Sequence, residues 1–341
     1  MRQIYLTLFK WCFIILLVIP SLSGQDLHYS QFYNSPLNIN PALTGIFNGD
    51  LRFSGNFRDQ WRSVPVPYTT YTGTFDMKLY PSNSEKGFWG FGVNFNYDES
   101  GFVKLNLVQI GLSLSYTAIL NQNNFLTGGL SIGVAQRSLG ERNITSPNQW
   151  TGLQFDPTLP IGENFDNFNF LYFDFSGGLN YRLQGNDTRS KLDLGAGYFH
   201  INRPNQTFLE GGARNGLPSR LSLHALGALK LTNSLDLLVN AMYQTQGPNS
   251  ETLAGLGAKI HINQRRGREL AFALLAHSRF GDAIIPSIEF HYKTWHAGFS
   301  YDFNTSAFTQ ATNRRGGPEL SLSCRILKVK PLPRYKTCPI Y

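Results

Sequence analysis

Residues 89–97 read Trp89-Gly90-Phe91-Gly92-Val93-Asn94-Phe95-Asn96-Tyr97. The odd positions are aromatic or branched. The even positions are glycine or asparagine. A period of two places one set on each face of an extended strand. The next stretch repeats the pattern: Val108, Ile110, Leu112, Leu114 and Tyr116 alternate with Gln109, Gly111, Ser113, Ser115 and Thr117. A third follows, with Leu126, Leu130, Ile132 and Val134 against Thr127, Gly129, Ser131 and Gly133. The polar run Asn121-Gln122-Asn123-Asn124 between the last two suits a hairpin connection. These three segments predict an antiparallel meander.

Working outward, the same period marks strands beginning near residues 51, 68, 87, 106, 125, 167, 191, 219, 234, 251, 269, 283, 294 and 318. The expected fold is all-β: a transmembrane antiparallel β-barrel of about 14 strands, occupying 51–330. An even strand number is what a closed bacterial outer-membrane barrel requires. Many runs are longer than the usual five or six residues and match a tilted membrane-crossing strand. The faces decide between a membrane barrel and a soluble sandwich. A sandwich buries its bulky face, whereas a membrane barrel turns it to lipid around a polar lumen. Here the second face is mostly Gly, Ser, Thr, Asn and Gln. Phe88, Trp89, Tyr97, Tyr116, Trp295 and Tyr301 fall near strand ends, where an aromatic girdle would lie. Residues 168–175 are apolar on both faces, so part of the lumen is expected to be packed.

Composition agrees. The chain has 341 residues, only 15% charged and 14% aromatic, with a formal charge of +8. That aromatic content excludes a disordered chain, and a mean hydropathy of −0.21 argues against a bundle of membrane helices. Arg2 and Lys10 precede a short apolar run, followed by Ser21 and Ser23, which reads as a signal peptide over 1–24. Removing it lowers the charge to +6 and leaves Cys324 and Cys338 as one possible disulfide.

Three segments are not wall. Residues 25–50 carry aromatics and prolines and are expected to form a plug or a periplasmic lead-in. The connection 138–166 holds Trp150 and Phe155 and is long enough to be an external functional loop. The basic turn with Arg265 and Arg266 is expected either to meet lipopolysaccharide phosphate or a partner carboxylate or to be a solvated turn. Residues 331–341 form a C-terminal tail. Arg58, Gln60, Trp61 and Arg62 form the best polar cluster. An arginine facing lipid at mid-membrane costs about 2–4 kcal/mol, so Arg58 and Arg62 are expected in the lumen or at the rim, pairing with carboxylates of the plug. Six short motifs follow one another along the chain: residues 29–37 (Tyr-Ser-Gln-Phe-Tyr-Asn-Ser-Pro-Leu), 40–45 (Asn-Pro-Ala-Leu-Thr-Gly), Arg58-Asp59-Gln60-Trp61-Arg62, residues 98–101, Tyr301-Asp302-Phe303 and the ending Cys338-Pro339-Ile340-Tyr341. In their order and spacing they resemble the PorP/SprF family of type IX secretion membrane proteins. Two places depart from the family pattern: Pro318-Glu319 where His-Glu is common, and Ile340 where a basic residue is usual.

The resemblance implies an outer-membrane barrel needed for secretion or surface display of large proteins. Its partners would be outer-membrane lipid, a secreted surface protein or adhesin C-terminal domain, and other type IX components. The main functional expectation is therefore a non-enzymatic barrel of the secretion and gliding pathway that binds or anchors a secreted protein. The alternative is a transporter or channel for small hydrophobic or polar solutes. A lipid enzyme ranks last. No Gly-x-Ser-x-Gly, Walker A or His-Glu-x-x-His motif occurs. The seven histidines read as wall or loop residues; His291 and His296 are five apart across an expected strand boundary, and no carboxylate pairing forces a metal site. No catalytic residue, cofactor or metal is expected, and the modest charge does not imply nucleic acid.

Overall fold

Period-two segments of this length can satisfy their backbone groups only by pairing with neighbours, and in a membrane the pairing must close. The computed structural model describes residues 26–327 apart from 63, 65–66, 82–85, 102, 141–144, 161, 163–167, 188, 209–214, 266 and 308. The expected signal peptide, the tail 331–341 and Cys338 lie outside the described residues. The strands are β1 (Leu51–Gln60), β2 (Tyr68–Leu79), β3 (Gly87–Ser100), β4 (Leu105–Ile119), β5 (Asn124–Leu139), β6 (Asn169–Gln184) and β7 (Lys191–Phe199). They continue with β8 (Arg220–Lys230), β9 (Leu235–Gln246), β10 (Asn249–Asn263), β11 (Leu270–Arg279), β12 (Ala283–Tyr292), β13 (Trp295–Asn304) and β14 (Arg315–Ile326). Each pairs antiparallel with its neighbours in sequence. β1 closes the barrel on β14, with Leu51 opposite Ile326 and Arg58 opposite Glu319. Among the described residues no helix is long and apolar enough to cross a membrane.

The faces fall as the alternation requires. Ile110, Leu112, Leu114, Leu130 and Ile132 point outward and are exposed, Ile110 at 53%. Asn94, Asn96, Ser113, Ser115, Thr117 and Thr127 point inward and are buried. Trp89, Tyr116, Tyr292 and Trp295 lie on the outer face toward one end of the barrel. Tyr71, Tyr198 and Tyr243 lie on it toward the other. These are the two interfacial girdles. Phe88 is a correction: it faces the lumen, where Lys78 lies over its ring.

Chain polarity sets the ends. β1 starts and β14 finishes at the end that carries the turns 120–123, 231–234 and 293–294. The long connections 140–168, 200–219 and 305–314 lie at the other end. Outer-membrane barrels keep short turns in the periplasm and long loops outside, which orients the molecule. The turn holding Arg265 joins β10 to β11 and is therefore periplasmic. This corrects the expectation of contact with external lipopolysaccharide. Arg266 lies outside the described residues.

Candidate functional site

Fourteen strands about 4.8 Å apart, tilted near 40°, enclose a cylinder roughly 28 Å across at the backbone. Small polar side chains do not fill that space; residues 26–48 do. The segment starts near the external mouth, where the backbone N–H of Asp26 donates to Gln246 (2.9 Å). It descends through a 3-10 turn at Phe32–Asn34, one helical turn at Pro36–Ile39 and a second 3-10 turn at Pro41–Leu43. It leaves at the periplasmic end, where Lys78 donates to the carbonyl of Phe47 (2.6 Å) and Arg52 lies over the Phe47 ring. Phe32, Ile39, Leu43 and Ile46 pack with wall residues Met242, Leu253 and Ile285 as the main apolar cluster.

The plug's backbone is held by charged wall residues. The backbone N–H groups of Ser30 and Gln31 donate to the two carboxylate oxygens of Glu319, at 2.7 and 2.8 Å. The Ser30 hydroxyl donates to Asp302 (2.7 Å), which also receives Arg58 (2.7 Å) and Arg279 (2.9 Å). Arg279 reaches Glu251 as well (2.7 Å). Arg58, 1% exposed, also donates to the carbonyl of His28 (2.6 Å). Lower down, Gly45 N–H donates to Asp76 (2.8 Å), which is paired with Arg52 (2.7 Å). Buried charges persist only when paired and hydrogen-bonded. Here the plug's peptide groups complete the pairing.

A second device is steric. On β3, β5, β6 and β7 the lumen-facing residues Gly90, Gly129, Gly178 and Gly197 have no side chain, and the plug lies against them. A Cβ on Gly129 would sit 2.5 Å from the Ala42 nitrogen, and one on Gly197 2.5 Å from the Ile39 carbonyl oxygen. Such contacts need glycine, whose missing Cβ permits close backbone approach.

At the external mouth His200 bridges two carboxylates: Nδ1 is 2.9 Å from Asp174 and Nε2 is 2.5 Å from Asp26. Burial alone would lower the His200 pKa, but the two carboxylates outweigh it and push it up to about 9. Burial likewise opposes the Asp26 charge, yet His200 and Arg220 hold its pKa well below the usual carboxylate range. His28 has weaker compensation, and burial lowers it to about 4. Beside this bridge Leu217, from the 200–219 connection, packs with Leu107, Ala135 and Tyr172 in a second apolar cluster.

Between the plug and the wall, toward the periplasmic end, lies a chamber of about 320 Å³ bordered by Tyr33, Leu43 and Phe47 of the plug. Its ion pairs include Arg182–Asp193 (2.7 Å) and Arg189–Asp236 (2.6 Å), with His261 also on Asp236 (2.6 Å). Glu289 sits between His291 (3.1 Å) and His296 (3.3 Å), whose rings stack at 4.3 Å. These three offer ligand atoms within 4.8 Å of one another, a donor set that suits a divalent transition metal. Lys259 and Arg325 line the same space and oppose entry of a cation.

The chain matches the family described as type IX secretion system membrane protein PorP/SprF over residues 21–323. The protein belongs to the PorP/SprF family. No curated protein matches it in sequence. Among solved structures it resembles a TodX monoaromatic hydrocarbon channel carrying the deltaS2S3 mutation, at a TM-score of 0.51 and 10% identity, over 85% of this chain and 93% of that one. The Pseudomonas putida toluene transporter TodX gives 0.49 and 9%, over 87% and 95%. A Pseudomonas aeruginosa FadL homologue gives 0.46 and 12%, over 83% and 91%. This PorP/SprF chain is thus an outer-membrane β-barrel.

In this family member Arg58 faces the lumen, but its carboxylate partners are Asp302 and Glu319 of the wall. That corrects the expected pairing with plug carboxylates. The plug meets Arg58 through backbone oxygen instead. Arg62 is at the rim, exposed and 3.3 Å from Asp59. Gln60 is buried at the end of β1. Trp61 follows it in the left-handed region (φ 54°) and packs edge-on against Tyr68. Trp150 and Phe155 are bridged to each other on the external loop, far along the chain from the Arg58 cluster, with Leu153 between them 93% exposed. Cys324 lies on β14, half-buried.

Sequence reasoning missed Glu319, Asp302 and Arg279 as plug holders and Glu289 as the link between two histidines. The signal for Glu289 was present: Glu289 and His291 share one parity on β12, and His296 stands opposite His291 across a two-residue turn.

Proposed function

We propose that this PorP/SprF member is a gated outer-membrane passage for small solutes, closed at rest by residues 26–48. The observation that carries the reading is the charge-lined chamber between the plug and the wall. A barrel built only to present loops has no need of a cavity beside a segment held in its lumen. The plug's wall contacts are mostly hydrogen bonds and ion pairs, which can exchange with water as the segment shifts. The TodX channel with which it shares its fold is described as a channel for monoaromatic hydrocarbons; the polar wall here suits polar solutes better.

The test is conductance in planar bilayers. Wild type should be quiet with rare openings. A variant lacking 26–40, checked for assembly by its heat-dependent gel mobility, should conduct at least tenfold more. Silence from both would remove the reading.

A second reading has its own observation. Trp150, Leu153 and Phe155 project from the external loop with large exposed apolar surface, which favours docking of a secreted protein or adhesin domain. The loop is shaped by its own contacts, including the Ser146–Gln149 capping box. Other type IX components would then supply that partner. Copurification from outer membranes, with and without Trp150→Ala and Phe155→Ala, tests it. Equal recovery of the secreted protein from both would rule out this loop.

A further inference from the structure

We infer that the periplasmic chamber is a binding site for a small multivalent oxyanion, a phosphate or a di- or tricarboxylate. This deepens the passage reading by naming its solute class.

Arg52, Arg182, Arg189, Lys191, Lys259 and Arg325 line the chamber, against Asp193, Asp236 and Glu289. Each carboxylate is already engaged: Asp193 by Arg182, Asp236 by Arg189 and His261, Glu289 by His291 and His296. Arg52 takes Asp76 from outside the lining. Lys191, Lys259 and Arg325 are left. Among the described residues none has a carboxylate within the 4.0 Å of an ion pair. Their side chains are half-buried and border the cavity.

Placement matters as much as number. Lys191 is on β7, Lys259 on β10 and Arg325 on β14. Two strands lie between the first two and three between the next two, so the cations enter the lumen from different sides. A convergent set of this kind suits one anion with several charged oxygens better than three separate chlorides. Rings of Arg and Lys are the device by which pores select anions and phosphate. The barrel wall stands between this chamber and lipid head groups, so the ligand is a soluble one. The size of the cavity is at the lower end for ligand pockets, which fits a molecule such as citrate.

The test is calorimetric titration of the full-length protein in neutral detergent at low ionic strength, using sodium citrate and sodium phosphate as probes. Calcium chloride is the charge control. Wild type should bind citrate saturably and calcium not at all. The triple variant Lys191→Gln, Lys259→Gln, Arg325→Gln should bind citrate at least tenfold more weakly, and Arg325→Gln alone at least threefold. Arg265→Gln, at the same end but outside the chamber, should match wild type. The inference is overturned if wild type takes up no citrate or phosphate, if it binds calcium as tightly, or if Arg325→Gln and the triple variant both keep wild-type affinity. Binding at equilibrium does not require passage, so loss of the conductance result and loss of this one are separate outcomes.

Discussion

Glu319 accepts the backbone N–H of Ser30 at 2.7 Å with one carboxylate oxygen, although 289 positions separate them in the chain. The other oxygen takes the N–H of Gln31. One side chain of the closing strand thereby fixes the direction in which the plug enters the lumen.

Replacing that side chain tests how tightly the plug is held. Glu319→Ala leaves two buried N–H donors unmet and removes one of two carboxylates from Arg58. Breaking one partner of a buried pair costs about 3–5 kcal/mol. The unfolding midpoint in urea should fall accordingly. A cysteine placed at Ser35 should react with a membrane-impermeant maleimide in the variant and resist it in wild type.

The glycine seat makes a steric prediction. Gly129→Val forces the plug's Ala42 away from β5, at about 1–3 kcal/mol for overpacking. Gly73→Ala, where a Cβ meets nothing within 4 Å, is the matched control. Open probability in bilayers should rise for the first and stay at wild type for the second.

Stability should depend on pH through His200. Its folded pKa, about 9, is above the ordinary 6.5. A raised pKa contributes stability that is complete below pH 6.5 and lost as pH rises through 9, at most about 3 kcal/mol. Asp26 has the opposite sign: its lowered pKa contributes above the ordinary 3.8, and the contribution fades as pH falls. The anchor at the external mouth is therefore firmest between about pH 4 and 6.5. Thermal midpoints from pH 6 to 10 should decline for wild type, and the decline should be much shallower in His200→Gln.

Lipid exposure of the bulky face is tested at mid-strand. Leu112 faces outward at the centre of β4. Leu112→Arg should cost about 2–4 kcal/mol in urea unfolding from bilayers. Leu112→Ile should stay within 1 kcal/mol or so.

The alternation at 89–97, 108–116 and 126–134 was sufficient to assign strands, faces and membrane, because a period of two is a local property of the backbone. Strand starts expected near 106, 125 and 294 are found at Leu105, Asn124 and Trp295. The final strand begins three residues early, at Arg315, since Gly316 and Gly317 carry no side chain to mark a face. Arg58 was legible as a lumenal charge from the cost of placing it in lipid. Its partners were not. Asp302, Glu319 and Arg279 lie on three other strands, and only the register of a closed barrel brings them to one level with Ser30.

The same holds for the chamber. Lys191, Lys259 and Arg325 each look like an ordinary charge at a strand end, and nothing near them in sequence says whether a carboxylate will meet them. Charge pairing acts through space over a few ångströms, whereas the pattern that defines a strand acts along the chain. The chain alone therefore determined a barrel with an outward apolar face. The tertiary structure decided which charges neutralise one another, which are left lining the chamber, and that residues 26–48 fill the lumen.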